Sequence, residues 1–259
     1  MSKATVLGIT GAAVGAAMFA FGFVSGSNPV PTTDLAGTAS MTRTQVESIV
    51  HNYLAANPEI LLEMQTALET KQEERQRVSQ IDTIRGARDE IFNASYDGVI
   101  GNPQGAVTIV EFFDYNCGFC KRALADMETV IQSNPDLRFV LKEFPILGPD
   151  SQKAHVVSMA FRNLAPEKYG DFHRELMNGS RANETTAIAA ATRLGVEEAA
   201  LRREMENPQI AQAFAQTYEL ASRLAITGTP SYVVGDEVVF GALGHAVLEE
   251  KLKQVRAAN

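Results

Sequence analysis

Cysteine is scarce in this 259-residue chain, which contains only two. That count excludes a multi-disulfide scaffold and an all-cysteine zinc site. A basic surplus is missing too: 23 Lys and Arg stand against 31 Asp and Glu, a formal net charge of −8. Nothing is therefore spare to displace the counterions of a polyanion, and nucleic acid is excluded as a partner. Charge of either sign is almost absent from the start, where Lys3 is the one charged residue before Asp34. The remainder is ordinary for a soluble globular protein, with 45% apolar and 21% charged residues. The length suits one or two domains with a proper core.

Ala4–Val24 is an uncharged run of 21 residues. That exceeds a typical signal-peptide core of about 7–15 residues and is close to the roughly 20 that a membrane span needs. Gly8, Gly11, Gly15 and Gly22 dilute its hydrophobicity, and Gly11 with Gly15 forms a weak GxxxG pairing signal. A buried core helix fits poorly with a terminal segment followed by the polar, Pro-containing stretch Ser25–Ser40. Residues 1–27 read as a cleaved signal, the favoured reading, or an uncleaved membrane anchor, and residues 28–40 as a linker. Either way the rest of the chain crosses the membrane, so the expected location is periplasmic or otherwise extracytoplasmic.

Residues 41–93 carry a helical pattern. Thr44 and Glu47 suggest a capping box ahead of Val46, Ile49, Val50 and Tyr53 at helical spacing. Asn57-Pro58 restarts the pattern, and Ile60, Leu61, Met64 and Leu68 form a second apolar stripe. The wholly polar run Glu69–Arg77 reads as a solvated helix face or a linker, and Val78, Ile81, Ile84 and Ile91 resume a looser stripe. So small a helical unit is marginal alone. Its stripes need a partner, either the main domain or further copies of the chain, and the heptad-like spacing favours a homo-oligomer.

The two cysteines stand three apart, in Cys117-Gly118-Phe119-Cys120. Val107–Phe113 is β-branched and aromatic and reads as a buried strand. After the cysteines, Leu124, Met127, Val130 and Ile131 continue at helical spacing. Strand, short loop and helix place Cys117 at a helix N-terminus, where free backbone N–H groups and the helix dipole favour a thiolate. A thiolate attacks disulfides, and a second cysteine nearby resolves the mixed disulfide. Cys117 is the candidate nucleophile and Cys120 the resolving cysteine. A structural disulfide across so short a loop constrains little. Half a zinc site lacks further ligands, since His155, His173 and His245 show no metal spacing, and no metal site is assigned. Copper(I) held by two soft thiolates stands as the alternative.

Glu111, six residues before Cys117, sits among apolar neighbours. A carboxylate buried there needs a reason, such as relaying the proton of the resolving thiol; the bland alternative is a side chain facing solvent at a sheet edge. In Thr227-Gly-Thr-Pro230, a cis bond before Pro230 would expose the Thr229 backbone to an extended substrate. Exposed apolar residues near the site, Phe119 and Tyr115 among them, would hold unfolded segments, although Tyr115 also reads as core.

Together, VTIVEFFDYNCGFCK, the TGTP turn and the terminal hairpin and helix Val233–Leu252 resemble the DsbA-like branch of the thioredoxin superfamily. The likeness covers residues 94–259. It implies an α/β thioredoxin fold with strands near 107–113, 138–143, 231–235 and 237–240 and a helical insertion over about 150–226, where helix signals run from Ser151, from Pro166 to Asn178-Gly179, from Asn183 to Gly195 and from Asn207-Pro208. Family roles fall on Cys117, Cys120 and Glu111, with Thr229, Pro230, Gly118 and Phe119 contacting substrate. The helical region 41–93 is similar to that of the ScsC-like members, some of which are trimeric isomerases. Strongly oxidising members carry Pro-His between the cysteines, where this chain has Gly118-Phe119, and a threonine before the proline is similar to the isomerases. The resemblance implies a thiol–disulfide oxidoreductase or isomerase with no organic cofactor. Its partners would be cysteine-containing exported proteins and a membrane redox protein that resets the pair. The competing readings are a copper(I)-binding or adaptor protein on the same fold without turnover, and, more weakly, an anchored chaperone.

Overall fold

A computed structural model describes residues 41–258 of the chain. The expected signal or anchor, 1–27, and the linker 28–40 lie outside the described residues. The chain divides into two compact units, Met1–Ile60 and Leu61–Asn259.

In the first unit, α1 (Arg43–Ala56) starts after Thr42, whose hydroxyl accepts from the Gln45 N–H while the Gln45 side chain accepts from the Thr42 N–H. The capping box is therefore two residues upstream of the Thr44–Glu47 pair that the sequence suggests. Gln45 supplies the same reciprocal acceptor as a glutamate, and Glu47 pairs instead with Arg43. Val46, Ile49, Val50 and Tyr53 are all exposed on α1. The helix ends at Asn57, because Pro58 has no N–H to continue the ladder and disfavours helical backbone in the residue before it.

α2 (Glu59–Gly86) is one continuous helix. The run Glu69–Arg77 lies within it, exposed throughout, so it is a solvated helix surface. Leu61, Leu62, Met64 and Leu68 are between 52% and 68% exposed, whereas Ile84 is fully buried. Past α3 (Arg88–Phe92), the chain enters a five-stranded sheet: β1 (Gly98–Gly101), β2 (Val107–Phe113), β3 (Leu137–Glu143), β4 (Ser231–Val234) and β5 (Glu237–Phe240). The spatial order is β1-β3-β2-β4-β5, with β2 and β3 parallel and the other neighbours antiparallel.

A parallel pair needs a crossover, and α4 (Gly118–Ser133) provides it. β2 is the central strand and is buried on both faces, which explains its nearly unbroken apolar run. Ile109 and Phe113 join the larger core, together with both cysteines. Val110 and Phe112 face a second core completed by Ile84, Ile91, Phe92, Leu220 and Val233. β1 carries no strand signal in the sequence, since its Gly-Val-Ile-Gly is short and glycine-flanked. Gly98 is needed there because a Cβ would lie 2.0 Å from the Tyr169 ring.

Between β3 and β4 come α5 (Pro149–Leu164), a 3-10 turn (Pro166–Lys168), α6 (Tyr169–Asn178), α7 (Glu184–Arg193), α8 (Glu198–Met205) and α9 (Pro208–Arg223); α10 (His245–Ala258) closes the chain. This is the expected α/β thioredoxin arrangement with an inserted helical region. Asn183 and Asn207 cap α7 and α9 through their side chains, as the sequence signals. α8 begins without a side-chain cap, so nothing in the sequence announced it as a separate helix. Among the described residues, no helix is long and apolar enough to cross a membrane.

Candidate active site

β2 runs into the turn Asp114-Tyr115-Asn116, closed by the Cys117 N–H donating to the Asp114 carbonyl at 3.0 Å. Cys117 is then the N-cap of α4, and its sulfur accepts the Cys120 N–H at 3.3 Å. Both thiols are free. Cys117 is 6% exposed and Cys120 1%. The nucleophile candidate is thus reached past Gly118, above which an added Cβ would meet nothing, and past Phe119, which is 58% exposed beneath the Arg122 guanidinium. Tyr115 is fully buried and belongs to the core.

The two sulfurs occupy opposite electrostatic settings. Hydrogen bonding from the Cys120 thiol lowers Cys117 to about 5, against a burial effect that raises it and with help from Thr229 and the N–H groups of Cys120 and Phe119. Burial pushes Cys120 far up, reinforced by Cys117 and Glu111. One thiol ionises readily in neutral water and its neighbour holds its proton. Thr229 is half-buried and the peptide before buried Pro230 is cis. The Thr229 carbonyl lies 3.1 Å from the Cys117 sulfur, which donates to it when protonated.

Glu111 is on the same face of β2 as Ile109 and Phe113, 4% exposed and opposite Tyr232 of β4. Because β2 is central, the reading of a solvent-facing edge residue is ruled out. Burial, and then the Cys117 charge, raises Glu111 to about 8, with Tyr232 opposing. A carboxyl raised above its unfolded value adds stability while protonated, below about 4.5, and loses it as pH rises through about 8. Glu111→Gln, which is neutral throughout, should therefore gain on the parent protein across that window, by on the order of 3–5 kcal/mol at its upper end. Denaturant midpoints measured from pH 4.5 to 8.5 test this, and a constant difference between the two proteins would refute the burial of the carboxyl.

Sequence reasoning missed the residues that hold the turn. Asp114 accepts from the N–H groups of Asn116 at 2.8 Å and of Ile146 and Leu147 at 2.9 Å, and from Ser151 Oγ at 2.8 Å. Burial pushes Asp114 up, but His155, the Asn116 N–H and Ser151 together hold it below the usual carboxylate range. His155 Nε2 accepts the Tyr115 N–H at 3.1 Å, while its Nδ1 meets Glu143. Glu143 also accepts from Ser158 at 2.6 Å and Tyr169 at 2.9 Å. The signal was present in Asp114 and Asn116, residue types that tie turns through their side chains. Their partners, 30 to 70 residues away in sequence, carried no signal. His155 and His173 are core residues and His245 lies beside Asp126. Among the described residues, no cluster of three or more His, Cys, Asp and Glu could hold a metal ion.

A family model described as a DSBA-like thioredoxin domain matches residues 108–253, more than half the chain. The protein belongs to that family. A second model, the N-terminal domain of the copper resistance protein ScsC, matches residues 43–75. Among solved structures, a thioredoxin-like oxidoreductase from Silicibacter pomeroyi DSS-3 is 40% identical and aligns over 66% of this chain and 99% of its own, with a TM-score of 0.63. Proteus mirabilis ScsC in a transitional conformation is 26% identical over 86% of this chain and all of its own, with a TM-score of 0.63. Among curated proteins, disulfide bond formation protein D of Bacillus subtilis (strain 168) is 24% identical over 60% of this chain and 75% of its own. The DSBA-like domain thus contains the cysteine pair, Glu111, the TGTP turn and the inserted helices, and it is of the thiol–disulfide oxidoreductase kind.

Proposed function

We propose that this member of the DSBA-like family is an extracytoplasmic disulfide isomerase that reshuffles, and in its oxidised form introduces, disulfides in exported proteins. The observation that carries this reading is the contrast between an acidified Cys117 and a proton-holding Cys120 in one helical turn. In reshuffling, the Cys117 thiolate attacks one sulfur of a substrate disulfide and the other sulfur leaves as a thiolate. The freed substrate thiolate then attacks a second substrate disulfide, and the thiolate released there attacks the substrate sulfur of the mixed disulfide, expelling Cys117 unchanged. When reshuffling stalls, Cys120 attacks Cys117 in the fraction of molecules whose Glu111 is ionised and takes the Cys120 proton; the substrate sulfur leaves as a thiolate and the Cys117–Cys120 disulfide remains. A membrane redox protein would then reset the pair by thiol–disulfide exchange.

Gly118, Phe119, Thr229 and Pro230 are the residues proposed to meet substrate. Isomerisation, rather than oxidation alone, is favoured by the apolar residues left exposed along α1 and the first part of α2, which suit self-association. Leu61→Glu with Met64→Glu is expected to lower the solution mass to that of one chain. Reactivation of scrambled ribonuclease should fall with it, while oxidation of a simple dithiol persists. Light scattering beside both assays decides, and a parent protein of single-chain mass would overturn the oligomer. The reduction potential of the pair separates the two activities further, since a strong-oxidant potential in a monomer means an oxidase. The copper(I) reading draws on the name of the model matched at residues 43–75, but it needs Cys120 deprotonated, and burial opposes that. Stoichiometric copper(I) uptake without ribonuclease reactivation would favour it.

A further inference from the structure

A cleft of about 610 Å³ opens beside the cysteine pair, lined by Asn116, Leu147, Pro149, Asp150, Ser180 and Arg181. Its volume lies in the range of small-ligand sites. Three chain segments meet there: the residue before Cys117, the start of α5 with the loop leading to it, and the loop between α6 and α7.

The far wall is held by side chains on both flanks of the cysteine motif. The Asn116 carboxamide accepts the Ala182 N–H at 2.8 Å and donates to the Ala182 carbonyl at 2.9 Å and to Ser151 Oγ at 3.0 Å. Lys121 Nζ, one residue after Cys120, donates to the Gly179 carbonyl and, at 3.0 Å, to that of Ser180. The near wall hangs from buried Asp114 through the Ile146 and Leu147 N–H groups. Across the mouth, Arg181 bridges to Asp150 at 2.7 Å, with side chains 72% and 42% exposed, and Leu147 is 52% exposed beside them. Residues flanking the motif thus fix a mixed-charge rim on a cleft that Asn116 joins, in the chain, to Cys117.

We propose that this cleft is a subsite for the substrate polypeptide immediately beside its own cysteine, taking an extended, polar or charged segment. The proposal rests on the function assigned above. A substrate held at Cys117 by a mixed disulfide has its neighbouring residues within about 3.3–3.6 Å of chain per residue, and Asn116, which lines the cleft, immediately precedes Cys117. Arg181 offers a cation to a substrate carboxylate and Asp150 an anion to a substrate ammonium. Leu147 offers a small apolar contact.

Two disulfide peptides that differ only in Glu or Lys next to the reacting cysteine test the proposal through the ratio of their kcat/KM values. Arg181→Glu leaves two acids at the rim and should shift that ratio toward the Lys peptide by about fivefold, the scale of an exposed ion pair. Arg181→Lys should keep the parent ratio. Moving the charged residue six positions from the cysteine should abolish the shift. An unchanged ratio in Arg181→Glu overturns the subsite, and so does a shift that ignores the position of the charge, since it would report only the general field. If the parent protein exchanges disulfides with neither peptide nor with dithiothreitol, it is the assigned function that fails.

Discussion

Serine at position 117 is expected to abolish disulfide exchange, and serine at position 120 to leave the protein captured on its substrates. Both outcomes follow from the division of labour between the sulfurs. An alkoxide is not accessible where a thiolate is, so Cys117→Ser should lose dithiol oxidation and ribonuclease reactivation to background. Cys120→Ser keeps the attacking sulfur but removes the intramolecular escape, so mixed disulfides should accumulate and appear as shifted, reductant-sensitive bands on non-reducing gels. In the parent protein, alkylation of Cys117 should hold nearly constant from pH 8 to 6 and fall as the pH passes through about 5. The sign is fixed because a lowered thiol keeps its reactive form until the pH drops below it. An alkylation profile centred near an ordinary thiol value, about 8.5, would remove the physical basis of the assignment, and exchange persisting in Cys117→Ser would remove the assignment itself.

The second large effect lies away from the chemistry. Lys142 is fully buried in β3, and its ammonium donates to Asp97 at 2.7 Å and to the Glu90 carbonyl at 2.8 Å, with the Tyr96 ring nearby. Burial raises Asp97 to about 6 against the pull of Lys142. Asp97→Ala leaves that ammonium without its counter-charge, and breaking such a pair from one side costs about 3–5 kcal/mol. Much of a typical domain's stability of roughly 5–15 kcal/mol would go with it. Replacing both partners, Asp97→Leu with Lys142→Met, should recover most of the loss, because the penalty comes from the orphaned charge. Urea midpoints of the parent and the two variants test this. A single variant as stable as the parent, or a double variant no better than the single, would show the pair to be electrostatically idle.

What could be read in advance followed the range over which each signal acts. β2 was legible because burial on both faces forces a run such as Val-Thr-Ile-Val-Glu-Phe-Phe. α4 was legible because the two cysteines stand at its start. Asn183 and Asn207 announced their helices through caps reaching only two or three residues. β1 was missed because Gly98 answers to the Tyr169 ring, a neighbour 71 residues away in sequence. The same holds for the scaffold of the active-site turn. Asp114 and Asn116 were visible as turn formers, but Ser151, His155 and Ala182 became their partners only through the folding of the insertion. Thr44 with Glu47 fits the usual capping-box pattern, yet Thr42 with Gln45 forms the box, and Glu47 pairs with Arg43.

The length of α2 has a mechanical corollary. Met64 and Ile84 lie on one unbroken helix, and twenty residues at 1.5 Å each separate them by about 30 Å. The exposed apolar residues around Met64 are thus carried, on a single rigid rod, about the width of a small folded domain along the helix from the core that Ile84 joins.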